Sequence, residues 1–176
     1  MLKKYISIIF FVFISSSCFA ASNIAILDIE GVLAKSLAAK NAAEQIKKKM
    51  EAYQIEINAK SNELKREQND LVKQSQILTQ EVLQAKQKSF VAKIDNLEKE
   101  VEAKKKELDQ LYVSAISEIE KNIKIIIADI SVKQNFNIIL ARNEIIYAHE
   151  VHDLTEQVVE ALNKKITKVE LSIDDK

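Results

Sequence analysis

Two long stretches of the chain carry residues that repeat every seven positions, as in a coiled coil. The first row is Met50, Ile57, Leu64, Leu71 and Leu78. The second stretch has two such rows, which are Leu83, Phe90, Leu97, Lys104 and Leu111, and Ile94, Val101, Leu108 and Ala115. The sequence has no Pro and one Gly, which permits long helices and excludes collagen-like, Pro-rich and all-β folds, whose turns need those residues.

The two stretches have complementary registers if the chain reverses direction between residues 80 and 81. Residues whose numbers add up to 161 then face each other, and this one constant places Leu64 opposite Leu97. Each a position of the repeat then faces a d position, as an antiparallel pair of helices requires. Thr79 is a suitable N-cap for the second helix. The sequence therefore predicts an antiparallel helical hairpin whose tip lies near residues 78–83.

The seam between these two predicted helices is only partly apolar. Its apolar members are Met50, Leu64, Leu71, Leu78, Leu83, Phe90, Leu97, Leu108 and Leu111. Polar residues interrupt it, because Lys104 faces Ile57 and Lys60 faces Val101. Since little apolar area is buried per turn, we expect a long arm that bends at its outer end.

The residues on both sides of the arm predict a small mixed body. The predicted elements, in chain order, are a strand over 23–29, helices over 30–77 and 80–132, strands over 136–140 and 144–148 joined by a turn at 141–143, and a helix capped by Asp153 or Thr155 that ends near Lys165. We therefore expect an α+β, predominantly helical protein with a body formed by residues 22–38 and 116–166. The arm is expected over residues 39–115, and a polar, frayed tail over residues 167–176.

The predicted body is small for the number of apolar residues that it must cover. It contains fewer than 80 residues, and cores of that size are marginal on their own. Contacts between copies, through strand edges or through the Ile-rich part of the second long helix, would supply the missing burial. The residues expected in this oligomerisation body are Ile26, Ile123, Ile126, Ile130, Ile139 and Ile146.

The first 20 residues have the organisation of a secretory signal peptide. Lys3 and Lys4 precede an apolar run, and a region of small residues follows, with cleavage expected after Ala20. The run of about ten residues is too short to span a bilayer, which takes ~20. A lipidated Cys18 and an uncleaved anchor are the alternatives. After cleavage 24 basic and 26 acidic residues remain, a net charge of −2, and no Cys is left for disulfide or thiol chemistry.

The sequence contains no arrangement typical of an enzyme, a cofactor site or a metal site. His149 and His152 lie in a predicted loop or strand end, unlike the helical two-His zinc motif. Glu98, Glu100 and Glu102 alternate along a helix and so do not converge on one face. We therefore predict no catalytic residues, no cofactor and no metal. The chain has no basic excess, so we also predict no binding to nucleic acid.

The order of strand, helical hairpin, two strands and helix behind a signal peptide resembles that of the Skp/OmpH-like periplasmic chaperones. The matching residues are 24–28, Val32, Leu33, Ser36, Lys40, Ala42 and Ala43 at one end, and 136–140, 145–148, 153–155, Val158, Leu162 and Asn163 at the other. Many relatives have a Pro and a Gly near the start of the first helix, where this chain has Leu37 and Ala39. We therefore expect the break between a short first helix and the arm to be blurred.

The resemblance implies a function as well as a fold. It implies a periplasmic homotrimer of "jellyfish" shape, in which three arms enclose unfolded outer-membrane proteins without ATP, metal or covalent chemistry. Some relatives are clearly basic, whereas residues 40–110 of this chain contain 15 basic and 13 acidic residues. This near neutrality leaves at most a weak contact with anionic lipid.

A chaperone that only holds unfolded proteins needs weak, distributed contacts rather than one fixed pocket. The arm residues least committed to helix pairing are Ile57, Ile94 and Val101, which face polar partners across the seam. We therefore predict that these three residues contact the bound polypeptide. The alternative is a structural coiled-coil protein, an envelope spacer or an adaptor that binds one folded partner, in which these residues only hold the hairpin together.

Overall fold

A computed structural model describes residues 23–172, so the predicted signal peptide, its cleavage site and the last four residues lie outside the described part. The elements in chain order are β1 (Ile24–Leu27), α1 (Ile29–Lys35), α2 (Leu37–Gln74), α3 (Gln80–Gln134), β2 (Ile138–Ala141), a short 3-10 helix (Arg142–Glu144), β3 (His152–Asp153) and α4 (Thr155–Lys165). The predicted fold class, a predominantly helical α+β chain with a helical hairpin and a small sheet, is confirmed.

The three strands form one parallel sheet with β1 in the centre and β2 and β3 at the edges. Ile24 of β1 lies opposite Ile138 of β2, and Ile26 lies opposite Asp153 of β3. Parallel neighbours need a crossover connection rather than a tight turn. The whole helical hairpin is therefore the connection between two adjacent strands, β1 and β2.

The prediction of a second strand over residues 144–148 is wrong. A short 3-10 helix occupies Arg142–Glu144, the residues that follow it form no strand, and the third strand is His152–Asp153. The physical reason is the parallel arrangement of β2 and β3 on opposite edges of β1. Residues 142–151 must carry the chain back past the sheet, so the strand-like sequence at Ile145 is used as a connection.

The prediction of a blurred break before the arm is also wrong, because α1 and α2 are separate helices that meet at Ser36. The Ser36 hydroxyl oxygen accepts a hydrogen bond from the backbone N–H of Ala39 at 3.2 Å, as in an N-cap. The Asn163 side-chain oxygen accepts from the backbone N–H of Leu37 at 2.8 Å. Side chains from Ser36 and from α4 thus cap the start of α2 and mark the break between the two helices.

The core of the body is formed by α1, α4, the sheet and the body end of α3. Its largest buried residues include Leu27, Val32, Ile119, Ile123 and Leu162. Among the residues predicted for the oligomerisation body, Ile26, Ile123, Ile126 and Ile130 are buried within this single chain, Ile139 is half-buried and Ile146 is fully exposed. Most of the Ile-rich face of α3 is therefore covered by the chain itself.

The segment after α4 packs against the body, so the prediction of a frayed tail is wrong for residues 167–172. Val169 is buried, and its carbonyl oxygen accepts a hydrogen bond from the side chain of Gln45 at 3.3 Å. Leu171 packs against the same core. The tail therefore ties the body end of α2 to α4. None of the helices within residues 23–172 is long and apolar enough to cross a membrane.

Candidate functional site

The arm is formed by α2 and by the first two thirds of α3, which run antiparallel from a turn at residues 75–79. In five of the polar contacts that cross between the helices, the residue numbers of the partners add up to 160. These contacts are Tyr53 to Glu107, Glu56 to Lys104, Lys60 to Glu100, Glu67 to Lys93, and Gln74 to Lys86. One register therefore holds along the length of the arm, as an uninterrupted antiparallel pair requires.

The predicted seam residues lie between the two helices but are mostly incompletely buried. Leu111 is buried and Met50 is half exposed, whereas the others, Leu64, Leu71, Leu78, Leu83, Phe90, Leu97 and Leu108, are of intermediate exposure. Leu111, at the body end of the seam, is the one predicted seam residue that is fully buried. The apolar contribution to helix pairing is accordingly small along most of the arm.

One face of the arm carries a series of ion pairs that we call the ion-pair ladder. Its members are Lys49, Glu56, Lys60, Glu67, Lys93, Glu100, Lys104 and Glu107. The distances between nitrogen and oxygen are 2.7 Å for Lys49 and Glu107, 2.8 Å for Lys104 and Glu56, 2.5 Å for Lys60 and Glu100, and 2.8 Å for Lys93 and Glu67. These pairs join the helices where the apolar seam is interrupted.

Lys104, which the sequence places opposite Ile57, is not free in solvent. Its side chain is 18% exposed, and its ammonium nitrogen lies 4.0 Å from the centre of the Tyr53 ring. The Tyr53 hydroxyl donates to Glu107 at 2.7 Å, and the Lys49 nitrogen lies 5.7 Å from the ring centre. The arm thus holds an aromatic ring between lysines and a carboxylate, a cation–π arrangement.

The contacts of the ladder favour the charged forms of Glu56, Glu107 and Lys104. Hydrogen bonds from Lys104 and then from Lys60 lower the pKa of Glu56 to about 2. Hydrogen bonds from Lys49 and Tyr53 lower the pKa of Glu107, while a hydrogen bond to Glu56 raises the pKa of Lys104. Glu56, Glu107 and Lys104 therefore stay ionised across the neutral pH range.

Beyond the Tyr53 ring, the ladder face opens into a groove of about 230 Å³ between the helices. Leu64 and Leu97 form its apolar floor. The Lys60–Glu100 pair stands on the body side of the groove, and the Glu67–Lys93 pair stands on the side of the tip. The groove is open because these leucines are only half-buried between the helices.

The three residues predicted to contact a bound polypeptide lie along the seam but not in this groove. Ile57 and Ile94 are half-buried, and Val101 is 43% exposed. On α3, Ile94 and Val101 follow one helical stripe with exposed Val91, whereas the ladder residues follow the neighbouring stripe. The arm therefore has a charged face with a groove and a second face with exposed apolar groups.

The sequence reasoning missed the ladder, although a signal for it was present. On α2, Lys49 and Glu56 are spaced by seven residues, as are Lys60 and Glu67, and on α3 Lys93, Glu100 and Glu107 have the same spacing. Charged residues that flank a coiled-coil seam at this spacing pair between helices. The apolar rows alone predict the hairpin, whereas the charged rows beside them predict the ladder.

The body carries a second set of exposed apolar side chains. They are Ile125 and Val132 on α3, Ile138 and Leu140 on β2, and Ile146 and Tyr147 in the connection to β3. Among the described residues 23–172, β2 pairs only with β1, so its other edge is unpaired there. In the described residues 23–172, no group of three or more His, Cys, Asp or Glu is arranged to hold a metal ion.

Comparison with known proteins agrees with this architecture. The fold is similar to that of a proposed outer membrane chaperone (OmpH-like) from Caulobacter crescentus CB15, with a TM-score of 0.79 and 19% sequence identity over 89% of this chain and 95% of that chain. None of the curated proteins compared with the chain matches it. The family model of OmpH-like outer membrane proteins matches residues 23–162. The chain therefore belongs to the OmpH-like family of outer membrane proteins.

Proposed function

We propose that the protein is a chaperone that holds unfolded outer-membrane β-barrel proteins between flexible arms and prevents their aggregation without ATP. The observation that carries this proposal is the arm, a long hairpin with a half-buried seam on a small body. A weakly packed arm adapts its shape to partners of different size at little cost in free energy. The similarity to a proposed outer membrane chaperone supports the same role.

The apolar face of the arm supplies the contacts for an unfolded chain in this proposal. Ile57, Ile94 and Val101 are the residues that we assign to it, together with exposed Val91 on the same stripe of α3. Such scattered side chains bind weakly and without sequence preference, because each offers a small apolar area. The charged residues between them keep the empty arm soluble.

The exposed apolar residues of the body support assembly into a homotrimer. Ile125 and Val132 on α3 and Ile138 and Leu140 on β2 present apolar area that the single chain leaves uncovered. The free edge of β2 can pair with a strand of another copy. Three subunits are proposed because the family resemblance implies that number. Three arms on one body would surround a bound unfolded protein, which we call the client, more completely than a single arm would.

The proposed compartment is the periplasm, reached through the predicted signal peptide. A contact with anionic lipid remains part of the proposal only as a weak one. Lys60, Lys93 and Lys104 are each held by a carboxylate of the ladder, so fewer free cations are offered to phosphate groups than the composition suggests.

An aggregation assay tests the chaperone function directly. A denatured porin is diluted into buffer without ATP, with the mature protein absent, substoichiometric or equimolar. We expect light scattering to fall with increasing chaperone and the porin to stay soluble in a complex of defined mass. Scattering that is unchanged at every ratio would falsify the holding function and would favour the alternative, a coiled-coil spacer or adaptor for a folded partner.

A further inference from the structure

We propose that the groove between the two ion pairs of the outer arm binds single aromatic side chains of the unfolded client. This inference rests on the proposed function and adds to it a preferred chemistry. The groove has a floor formed by Leu64 and Leu97 and a volume of about 230 Å³. A ring that enters it exchanges water for apolar contact on one face and meets charged groups at its edges.

The arm itself shows how such a ring is held. Closer to the body, the Tyr53 ring lies under the ammonium group of Lys104 at 4.0 Å, and its hydroxyl donates to Glu107 at 2.7 Å. The groove repeats this set of groups, with a lysine and a glutamate on each side and an apolar floor. None of the eight residues that line it is aromatic. It offers the surroundings of Tyr53 without a ring of its own.

Charge complementarity selects the occupant. The faces of aromatic rings are negative, so they attract the ammonium groups of Lys60 and Lys93 at the two ends of the groove. The carboxylates of Glu67 and Glu100 can accept a hydrogen bond from a phenol hydroxyl or an indole N–H. An aliphatic side chain gains the contact with the floor and nothing from the charged groups. The groove therefore distinguishes aromatic from aliphatic clients.

Transmembrane β-barrel proteins fit this selectivity. Each strand of about ten residues alternates apolar and polar side chains, and aromatic girdles stand at both ends of the apolar band. An unfolded barrel therefore presents isolated aromatic side chains at short, regular intervals. Capture of one ring at a time would keep the client extended along the arm.

The test uses the mature protein with methyl-labelled leucine and two peptides of the length of a barrel strand. One peptide contains Tyr, Phe and Trp, and in the other each of these is replaced by Leu. We expect ring-current shifts of the Leu64 and Leu97 methyl resonances with the aromatic peptide only. The methyl resonances of Leu162, which is buried in the body, should stay unchanged.

A matched pair of variants isolates the contribution of the cation. Lys93→Gln removes the ammonium beside the groove, whereas Lys99→Gln removes one that pairs with Asp95 on the same helix and does not line the groove. We expect Lys93→Gln to weaken binding of the aromatic peptide about two- to fivefold. Lys99→Gln should leave it unchanged, and both variants should leave binding of the Leu peptide unchanged.

The outcomes separate this inference from the proposed function. If the mature protein keeps the denatured porin soluble but the Leu64 and Leu97 methyl groups respond equally to both peptides, the aromatic groove is refuted and the holding function stands. If both peptides bind the wild-type protein with equal affinity, the aromatic groove is likewise refuted and the holding function stands. If neither peptide binds and the porin aggregates, the proposed function fails, and the groove has no client to select.

Discussion

At the scale of single residues, the lysines that interrupt the apolar seam, Lys60 and Lys104, each form an ion pair with the opposite helix. Lys104 stands in the seam, yet its ammonium group is held by Glu56 at 2.8 Å and by the Tyr53 ring. Ion pairs at exposed positions contribute little free energy individually. In the middle of the arm, Glu56, Lys60, Glu100 and Lys104 form a connected network of such pairs between the helices. We therefore expect this network to help hold the middle of the arm closed.

The first prediction concerns Glu56 and pH. Its folded pKa of about 2 lies below the ordinary value of 4.5, so its ionised form stabilises the folded arm above pH 4.5. This contribution is lost as the pH falls from 4.5 toward about 2. We expect Glu56→Gln to have a lower melting temperature than the wild-type protein at neutral pH. As the pH falls through that window, the two melting temperatures should converge. Circular dichroism of the helices during heating measures both.

A matched control for this prediction is available on the same helix. Glu51 lies 3.9 Å from Lys47 within α2 and makes no contact across the seam. Glu51→Gln should therefore leave the difference in melting temperature between neutral and acidic pH close to that of the wild-type protein. If Glu56→Gln showed the full wild-type pH dependence, Glu56 would have no role in closing the arm.

The second prediction concerns the cap at the root of the arm. Ser36 is fully buried, and its hydroxyl oxygen accepts from the backbone N–H of Ala39. We expect Ser36→Ala to destabilise the folded chain by about 1 kcal/mol, the usual cost of losing an N-cap. Urea denaturation measures the change, with Ser61→Ala in the exposed middle of α2 as the control. Equal midpoints for the two variants would show that the cap is unimportant.

At the scale of elements, the helical hairpin could be predicted from the sequence and the sheet could not. The hairpin could be predicted because a single register aligns the repeated apolar residues of both helices. Leu64 and Leu97 are one such pair, and they line the same groove. The strands are at most four residues long, and their order depends on which edge of β1 each one reaches. The segment around Ile145 has strand-like residues, but nothing local shows that it is used for the return of the chain.

In the candidate site, too, heptad spacing predicts the seam residues, whereas contacts between distant parts of the chain could not be predicted from it. The apolar rows placed Leu64 and Leu97 in the seam, and the groove between them follows from the polar pairs on either side. The contact between Tyr53 and Lys104 depends on the side-chain rotamers of two helices, which spacing alone does not specify. Burial of Val169 could not be predicted either, since it depends on α4 and Gln45 meeting the tail.

The third prediction concerns the opening of the outer arm. Leu64→Asp places a carboxylate in a half-buried layer, and the ladder has no free cation beside it, since Lys60 and Lys93 are already paired. We expect the tip of the arm to open. Spin labels on cysteines at positions 68 and 91 measure this, because Cys18 is the only native cysteine and lies in the predicted signal peptide. The variant should show longer and broader distances than the background protein.

The control for arm opening is Ile55→Asp. Ile55 lies on α2 and is 71% exposed, so a carboxylate there meets water rather than the seam. Its spin-label distances should match those of the labelled wild-type protein. Identical narrow distributions for Leu64→Asp and Ile55→Asp would mean that the half-buried leucines do not hold the outer arm closed.

At the scale of the whole molecule, the body and the arm depend on different residues. The body has its own core around Ile119, Ile123 and Leu162, and the arm adds few buried residues beyond Leu111. An aspartate at Ile126, which is buried, would unfold the body of the single chain and so would not test assembly. Residues that are exposed in the single chain are the proper targets.

The last prediction therefore concerns Val132, which lies on α3 within the body and is 80% exposed in the single chain. If copies assemble through this apolar surface, Val132→Asp buries a charge in the interface and should convert the proposed trimer to monomers, as measured by native mass spectrometry. Ile55→Asp makes the same kind of change on an exposed arm position and should leave the mass unchanged. Helix content should match the wild-type protein in both variants, because neither side chain belongs to the core. A Val132→Asp protein that kept the mass of a trimer would exclude this surface from the interface. The unpaired edge of β2 would then be the candidate interface.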